Sequence, residues 1–200
     1  IAAGAGLVIT QLRYDINKFN ELIRFHKEKN AHVPVMASVY LLRPGAARAM
    51  NKGMVPGAFV SDKLLEQVLA EWKDPKQGMA AAIERTARLG VVLKGFGYRG
   101  IHIGGIHKDF DAVGTILDRM EEIEDDWPKY LSDFSNKEKN AYYWYDRVTE
   151  KPNTKEPKPG IKERIVDHYP YKVLSFAHNL FFDKKNVLAP AYRKFAEFLD

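Results

Sequence analysis

Apolar runs of strand length alternate with helical patterns through the first 123 residues of this 200-residue chain. The runs at 7–11, 33–42 and 100–104 are continuous, as is typical of strands buried on both faces of a parallel sheet. Segments with apolar residues at helical spacing follow each run. This alternation predicts an α/β fold with a parallel sheet.

Capping residues mark where the helices begin. Asp15, Ser61 and Asp109 each precede a helical pattern, and Asp74-Pro75 with Gln77 combines a cap, an N1 proline and a capping-box glutamine. We expect helices over 15–29, 46–51, 61–72, 74–94 and 109–123. The predicted inward residues of the first and last of these are Ile16, Phe19, Leu22, Ile23 and His26, and Phe110, Val113, Ile116, Leu117, Met120 and Ile123.

Three parallel strands are too few for a freestanding domain, whereas a closed barrel has eight strand–helix units in about 250 residues. We therefore predict that residues 1–124 are the C-terminal strand–helix units of a (β/α)8 TIM barrel. Residues 1–6 resemble a helix end with its glycine stop, so we expect further barrel residues before them. Residues 125–200 are predicted to be an aromatic-rich extension packed on the barrel, with a Pro- and Lys-rich linker at 150–163.

Composition excludes several classes of function. The chain has no cysteine, which rules out a disulfide framework, a thiolate zinc site and a cysteine nucleophile. The chain has a net charge of +5, and its basic residues are scattered among acidic ones. This pattern favours a surface of mixed charge over nucleic-acid binding. No apolar run approaches the roughly 20 residues of a membrane span. We expect a cytoplasmic protein without nucleic-acid, membrane or metal partners, and the sequence leaves a homo-oligomer open.

The junction after the first strand is the leading candidate site, because side chains at the carboxyl ends of parallel strands line the binding crevice. It presents Thr10, Gln11, Arg13 and Tyr14. The Gln11 amide offers a donor beside an acceptor, which suits the edge of a heterocyclic base. The alternative is that Gln11 bonds to neighbouring backbone.

The third strand ends in Gly104 and Gly105, which allow either close approach of a ligand or an ordinary turn. His102, in the middle of that strand, is interpreted as a core or barrel histidine. His107 and Lys108 follow the strand and are better placed to meet an anionic group. The aromatic cluster 142–145 is interpreted as packing of the extension, rather than as a surface that stacks bases.

Four segments together resemble the methylenetetrahydrofolate reductase family over about residues 1–120. Residues 9–15 (ITQLRYD) are similar to the family's ITQ-x-x-[FY]-D strand motif, and 33–36 (VPVM) to the VPI strand that follows. Residues 53–56 (GMVP) resemble the short "IP" segment, and 97–103 (GYRGIHI) the last barrel strand.

The resemblance implies a flavoprotein that binds FAD and reduces 5,10-methylenetetrahydrofolate to 5-methyltetrahydrofolate with NADH or NADPH. Gln11 would bind the pterin, and Lys108 would lie near the folate's glutamate tail. The further residues implied to contact the substrate are Tyr14, Phe59, Ile106 and His107, and those implied to contact the cofactor are Ile9 and Thr10. The catalytic acid would precede Ile1.

The chain also departs from the family. Residues 105–107 (GIH) replace a Thr-Leu-Asn segment, and residues 63–65 lack an expected aromatic, although Phe59 is nearby. Two alternatives therefore remain. One is a folate-dependent methyl-group enzyme on the same barrel without nicotinamide chemistry, and the other is a non-catalytic module that binds a partner protein.

Overall fold

The structure is a computed structural model that describes residues 4–106, 109–135, 142–145 and 152. All of these belong to one compact unit, residues 1–152. The predicted linker at 150–163, apart from residue 152, and the rest of the extension beyond it lie outside the described residues.

The described elements alternate as the sequence predicts. The strands are β1 (Val8–Ile9), β2 (Val35–Tyr40) and β3 (Gly100–Gly104). The helices are α1 (Ile16–Glu28), α2 (Pro44–Asn51), α3 (Asp62–Glu71), α4 (Pro75–Phe96) and α5 (Phe110–Ile123), followed by a 3₁₀ segment, Glu124–Phe134. The strands form one parallel sheet in the order β1-β2-β3.

Side-chain caps begin four of the helices where the sequence places them. Asp15 accepts from the backbone N–H of Asn17, and Ser61 from that of Leu64. Asp74 accepts from two backbone N–H groups of the first turn of α4, and Asp109 caps α5. Each cap satisfies donors that a helix start otherwise leaves unpaired, so these boundaries follow from local chemistry.

One face of the sheet is covered by helices. Val35, Ala37 and Val39 alternate along β2 and are almost fully buried. They belong to one apolar cluster with residues of α1 and α4, among them Phe19 and Leu89. Since α1 and α4 both lie on this side, they act as crossover helices on one face of the sheet.

The opposite face of the sheet, here called the uncovered face, consists of Ile9, Met36, Ser38, Tyr40 and His102. Strand register places them together, because Ile9 pairs with Met36, Ser38 with His102 and Tyr40 with Gly104. Ile9 is 54% exposed, and His102 is exposed too. His102 is therefore not a core histidine among the described residues, and its interpretation as a barrel histidine stays a prediction.

Three other sequence predictions are wrong in detail. Phe110 and Leu117 were expected to face inward but are exposed, and Ala112, Ile116 and Ile123 form the buried side of α5. The first strand is shorter than 7–11, because the Thr10 hydroxyl accepts the Ser38 N–H that a further ladder bond would use. α4 also runs beyond Lys94, to a left-handed stop at Gly97.

The described part of the extension lies against the rest of the unit. Phe134 of the 3₁₀ segment is buried. Trp144 meets Phe25 of α1 edge-to-face at 5.7 Å, and the Arg24 guanidinium lies 4.1 Å from the centre of the Tyr145 ring. Within the described residues, these aromatic side chains pack on α1. No described helix is long and apolar enough to cross a membrane.

Candidate functional site

The strands end at one edge of the sheet, here called the carboxyl edge, formed by residues 10–11, 41–43 and 105–106. Gln11 lies on this edge and is exposed. Its Nε2 donates to the Pro56 carbonyl at 2.8 Å, and its Oε1 accepts from the Leu12 backbone N–H at 2.9 Å. The alternative that Gln11 bonds to backbone is thus confirmed. The amide keeps one N–H and one lone pair for a further partner.

The Gln11 contact joins two segments that are far apart in sequence. Gly57 follows Pro56 with a φ of +75°, and a Cβ there would lie 3.2 Å from the Gln11 Cγ. The residues 53–56 and 9–15, which carry separate parts of the family resemblance, therefore meet at the carboxyl edge. Phe59 lies three residues beyond Pro56 and is half-buried.

Ile9 and Thr10 occupy the transition from the uncovered face to the carboxyl edge. Ile9 presents an exposed apolar side chain. The Thr10 hydroxyl is already engaged, because it accepts from the Ser38 N–H at 3.0 Å. Beside it, the Ser38 Oγ lies 3.3 Å from the His102 Nδ1. This polar pair is the main hydrogen-bonding feature of the uncovered face.

Tyr14 is a predicted site residue that the structure buries. It is 4% exposed, and its hydroxyl donates to the Tyr40 carbonyl at 3.0 Å. Burial raises the pKa of Tyr14 well above its usual value, although Arg85 opposes this. Tyr14 thus supports the end of β2, and its contact with substrate stays a prediction.

The paired glycines at the end of β3 make room for a protein side chain. A Cβ on Gly105, whose φ is +79°, would lie 2.7 Å from the Tyr40 ring, and one on Gly104 would lie 3.0 Å from it. The close approach that the sequence suggests is therefore to Tyr40. Ile106 follows, half-buried against the α4–α5 cluster, whereas His107 and Lys108 lie outside the described residues.

Sequence reasoning missed Ser38, Tyr40 and Pro56 as parts of this region. The first two sit at alternate positions of β2, opposite its most buried residues, so period-2 alternation could have found them. Nothing local could have found Pro56, whose partner is 45 residues away.

The described residues contain no metal centre, and the chain matches no known family. In the described residues, no three histidine and acidic side chains come close enough to hold a metal ion. No protein-family model matches the chain, and no curated protein matches it significantly.

Proposed function

We propose that this chain supplies part of the folate site of a flavin-dependent barrel enzyme, which reduces 5,10-methylenetetrahydrofolate to 5-methyltetrahydrofolate with NADH or NADPH. One observation carries the proposal. The hydrogen bond from Gln11 to Pro56 brings two motifs of the resemblance together at the carboxyl edge, where ligands bind in parallel α/β folds.

The topology of the sheet supports a barrel origin for this unit. Its strands are adjacent in chain order, and α1 and α4 cover the same face. A doubly wound sheet carries helices on both faces, whereas a barrel carries them only outside. In the described residues β1 and β3 each have one unpaired edge. We therefore propose that amino-terminal barrel strands complete the sheet and the active site.

The proposed folate contacts follow the carboxyl edge. The free N–H and lone pair of the Gln11 amide would pair with the pterin, since Pro56 and Leu12 already fix its orientation. Phe59 and Ile106 would line the apolar part of the site. His107 and Lys108, which follow β3, would attract the carboxylates of the glutamate tail. Tyr14 acts by supporting Tyr40.

The residues around the end of β1 fit one wall of a flavin site. Ile9 offers exposed apolar surface, and Thr10 is held rigid by the Ser38 N–H. When bound, FAD would supply hydride transfer from the nicotinamide to the folate methylene. The residues that hold its phosphates and the catalytic acid belong to the proposed amino-terminal strands. We place the enzyme in the cytoplasm, with folate and nicotinamide as its small-molecule partners.

The proposal is tested with Gln11→Ala in the full polypeptide, including the proposed amino-terminal strands. Loss of a hydrogen bond to a buried ligand costs about 1–3 kcal/mol, so we expect folate affinity to fall about 5- to 150-fold. Flavin absorbance should be unchanged. Gln77→Ala, at an exposed position in the first turn of α4, is the matched control. Unchanged folate affinity in Gln11→Ala would refute the assignment.

Two spectra separate the alternatives. A purified protein that is colourless and takes up no FAD indicates the partner-binding module. A yellow protein that neither NADH nor NADPH reduces under anaerobic conditions indicates the methyl-group enzyme.

A further inference from the structure

A cavity of about 530 Å³ lies between α3 and α4 and is bordered by the 3₁₀ segment. We call it the α3–α4 cleft. Of the residues discussed above as site candidates, only Tyr14 lines it, so it is separate from the carboxyl edge. Its volume lies within the range of small-molecule sites.

The walls of the cleft are mainly polar, although Leu64, Ala81 and Phe134 also line it. Lys63, Gln67 and Glu71 follow one side of α3 at intervals of about one turn. On α4, Glu84 and Arg88 lie one turn apart, and Arg85 lies next to Glu84. Packed helices normally turn apolar stripes toward each other, so facing polar stripes need another explanation.

Arg85 is the unusual member of these walls. Its side chain is only 9% exposed, and Nη2 lies 2.6 Å from both carboxylate oxygens of Glu71. Its Nη1 is buried and has no hydrogen-bond partner among the described residues. A buried donor without an acceptor is destabilising, and native proteins usually satisfy such groups with protein, water or a ligand.

The carboxylates of the cleft are already occupied by arginines. Glu71 pairs with Arg85, while Arg88 binds both Glu84 at 2.7 Å and Asp133 at 3.0 Å. Lys63 is exposed at the rim and forms no ion pair with the described residues. Of the cationic side chains of the cleft, Lys63 and the Nη1 of Arg85 are thus left for a ligand, beside the neutral donors Gln67 and Ser132. The carboxylates of the cleft would repel a polyanion.

We propose that the α3–α4 cleft binds a small molecule that carries a single oxyanion group, a carboxylate or a phosphate. The oxyanion accepts hydrogen bonds from the Arg85 Nη1 and from Lys63, and the Glu71 carboxylate holds the guanidinium in place. This site does not rest on the proposed folate chemistry.

The test is thermal denaturation of the full polypeptide with inorganic phosphate or acetate, against chloride at the same ionic strength. At ten times its Kd, a ligand of the native state raises Tm by about 3–6 °C for a domain of this size. Phosphate also stabilises proteins non-specifically, so the comparison between variants decides the result. The larger shift of the two probes identifies the preferred source of the oxyanion.

Three variants isolate the site. Arg85→Lys keeps the charge facing Glu71 but loses the second nitrogen, and we expect it to abolish the ligand-specific shift. Lys63→Met should at least halve that shift, and it is exposed enough to leave folding intact. Lys73→Met removes the same charge at an exposed position outside the cleft and should behave as the parent.

Two results would overturn the proposal. One is an equal shift in the parent, Lys63→Met and Arg85→Lys. The other is a much larger shift with tripolyphosphate than with phosphate, because the carboxylates around the cleft should exclude a polyanion.

Discussion

Replacing Gly105 with alanine is expected to destabilise the fold by about 3 kcal/mol. The φ of Gly105 is +79°, a conformation that costs an L-residue roughly 1–2 kcal/mol. The added Cβ would lie 2.7 Å from the Tyr40 ring and 3.0 Å from the Leu41 carbonyl oxygen. Since that oxygen is backbone, the crowding cannot be relieved by rotating a side chain, and overpacking adds about 1–3 kcal/mol.

Gly114→Ala is the matched control. Gly114 lies within α5, and a Cβ there would meet nothing within 4 Å. Because alanine is the better helix former, this change should stabilise the protein by about 0.5–1 kcal/mol. The same chemical substitution is therefore predicted to have opposite signs at the two positions.

Urea denaturation followed by circular dichroism measures both variants. We expect the midpoint to fall in Gly105→Ala and to rise in Gly114→Ala, with unchanged m-values. A loss of only the roughly 1–2 kcal/mol expected from the positive φ would indicate that the Tyr40 ring does not occupy the space beside the glycine pair, which would then be free for a ligand. A loss of less than about 0.5 kcal/mol would contradict the positive φ as well.

Three further predictions concern the helices. Asp74→Ala should cost about 1 kcal/mol in urea denaturation, because the cap of α4 is lost, whereas Asp74→Asn should retain most of it. Tyr98→Phe removes a buried hydrogen bond to the Phe19 carbonyl and should cost about 1 kcal/mol, and an unchanged midpoint would contradict that bond. Hydrogen bonds from Arg119 lower the pKa of Glu84 below its usual 4.5. The ionised carboxylate therefore stabilises the fold at neutral pH, and this stabilisation is lost as the pH falls below 4.5 and Glu84 becomes protonated. Glu84→Gln should therefore reduce stability at pH 7 and flatten its decline toward acid pH, measured by urea midpoints between pH 3 and pH 7.

Helix starts could be predicted from the sequence because their chemistry is local. Asp15, Ser61 and Asp74 each accept from a backbone N–H two or three residues ahead, so a short stretch of sequence contains both partners. The inner side of α5 could not be predicted in the same way. Its apolar residues cover more of its circumference than one neighbour can bury, so packing against α4 selects Ala112 and Ile116 and leaves Phe110 exposed.

The contacts of the candidate site depend on residues distant in sequence, which limits what a single sequence can predict. The sequence identifies Gln11 as a residue at a strand end, but its partner Pro56 is set by the path of the chain after α2. The pair Arg85–Glu71 likewise joins two helices and has no local signal. From the sequence alone, residues 9–15 and 53–56 are linked only because both resemble segments of the same family.

The side chains of the uncovered face suit the proposed barrel. On a sheet face that meets solvent, the side chains are usually polar or charged, whereas the interior of a barrel is filled by packed side chains. Ile9, Met36 and Tyr40 are large and mainly apolar, and the polar members of this face, Ser38 and His102, already lie within 3.3 Å of each other. None of these five carries a carboxylate, an ammonium or a guanidinium group. Such a surface resembles one side of a hydrophobic core. Strands that closed a barrel over it would bury apolar area without burying an unpaired charge.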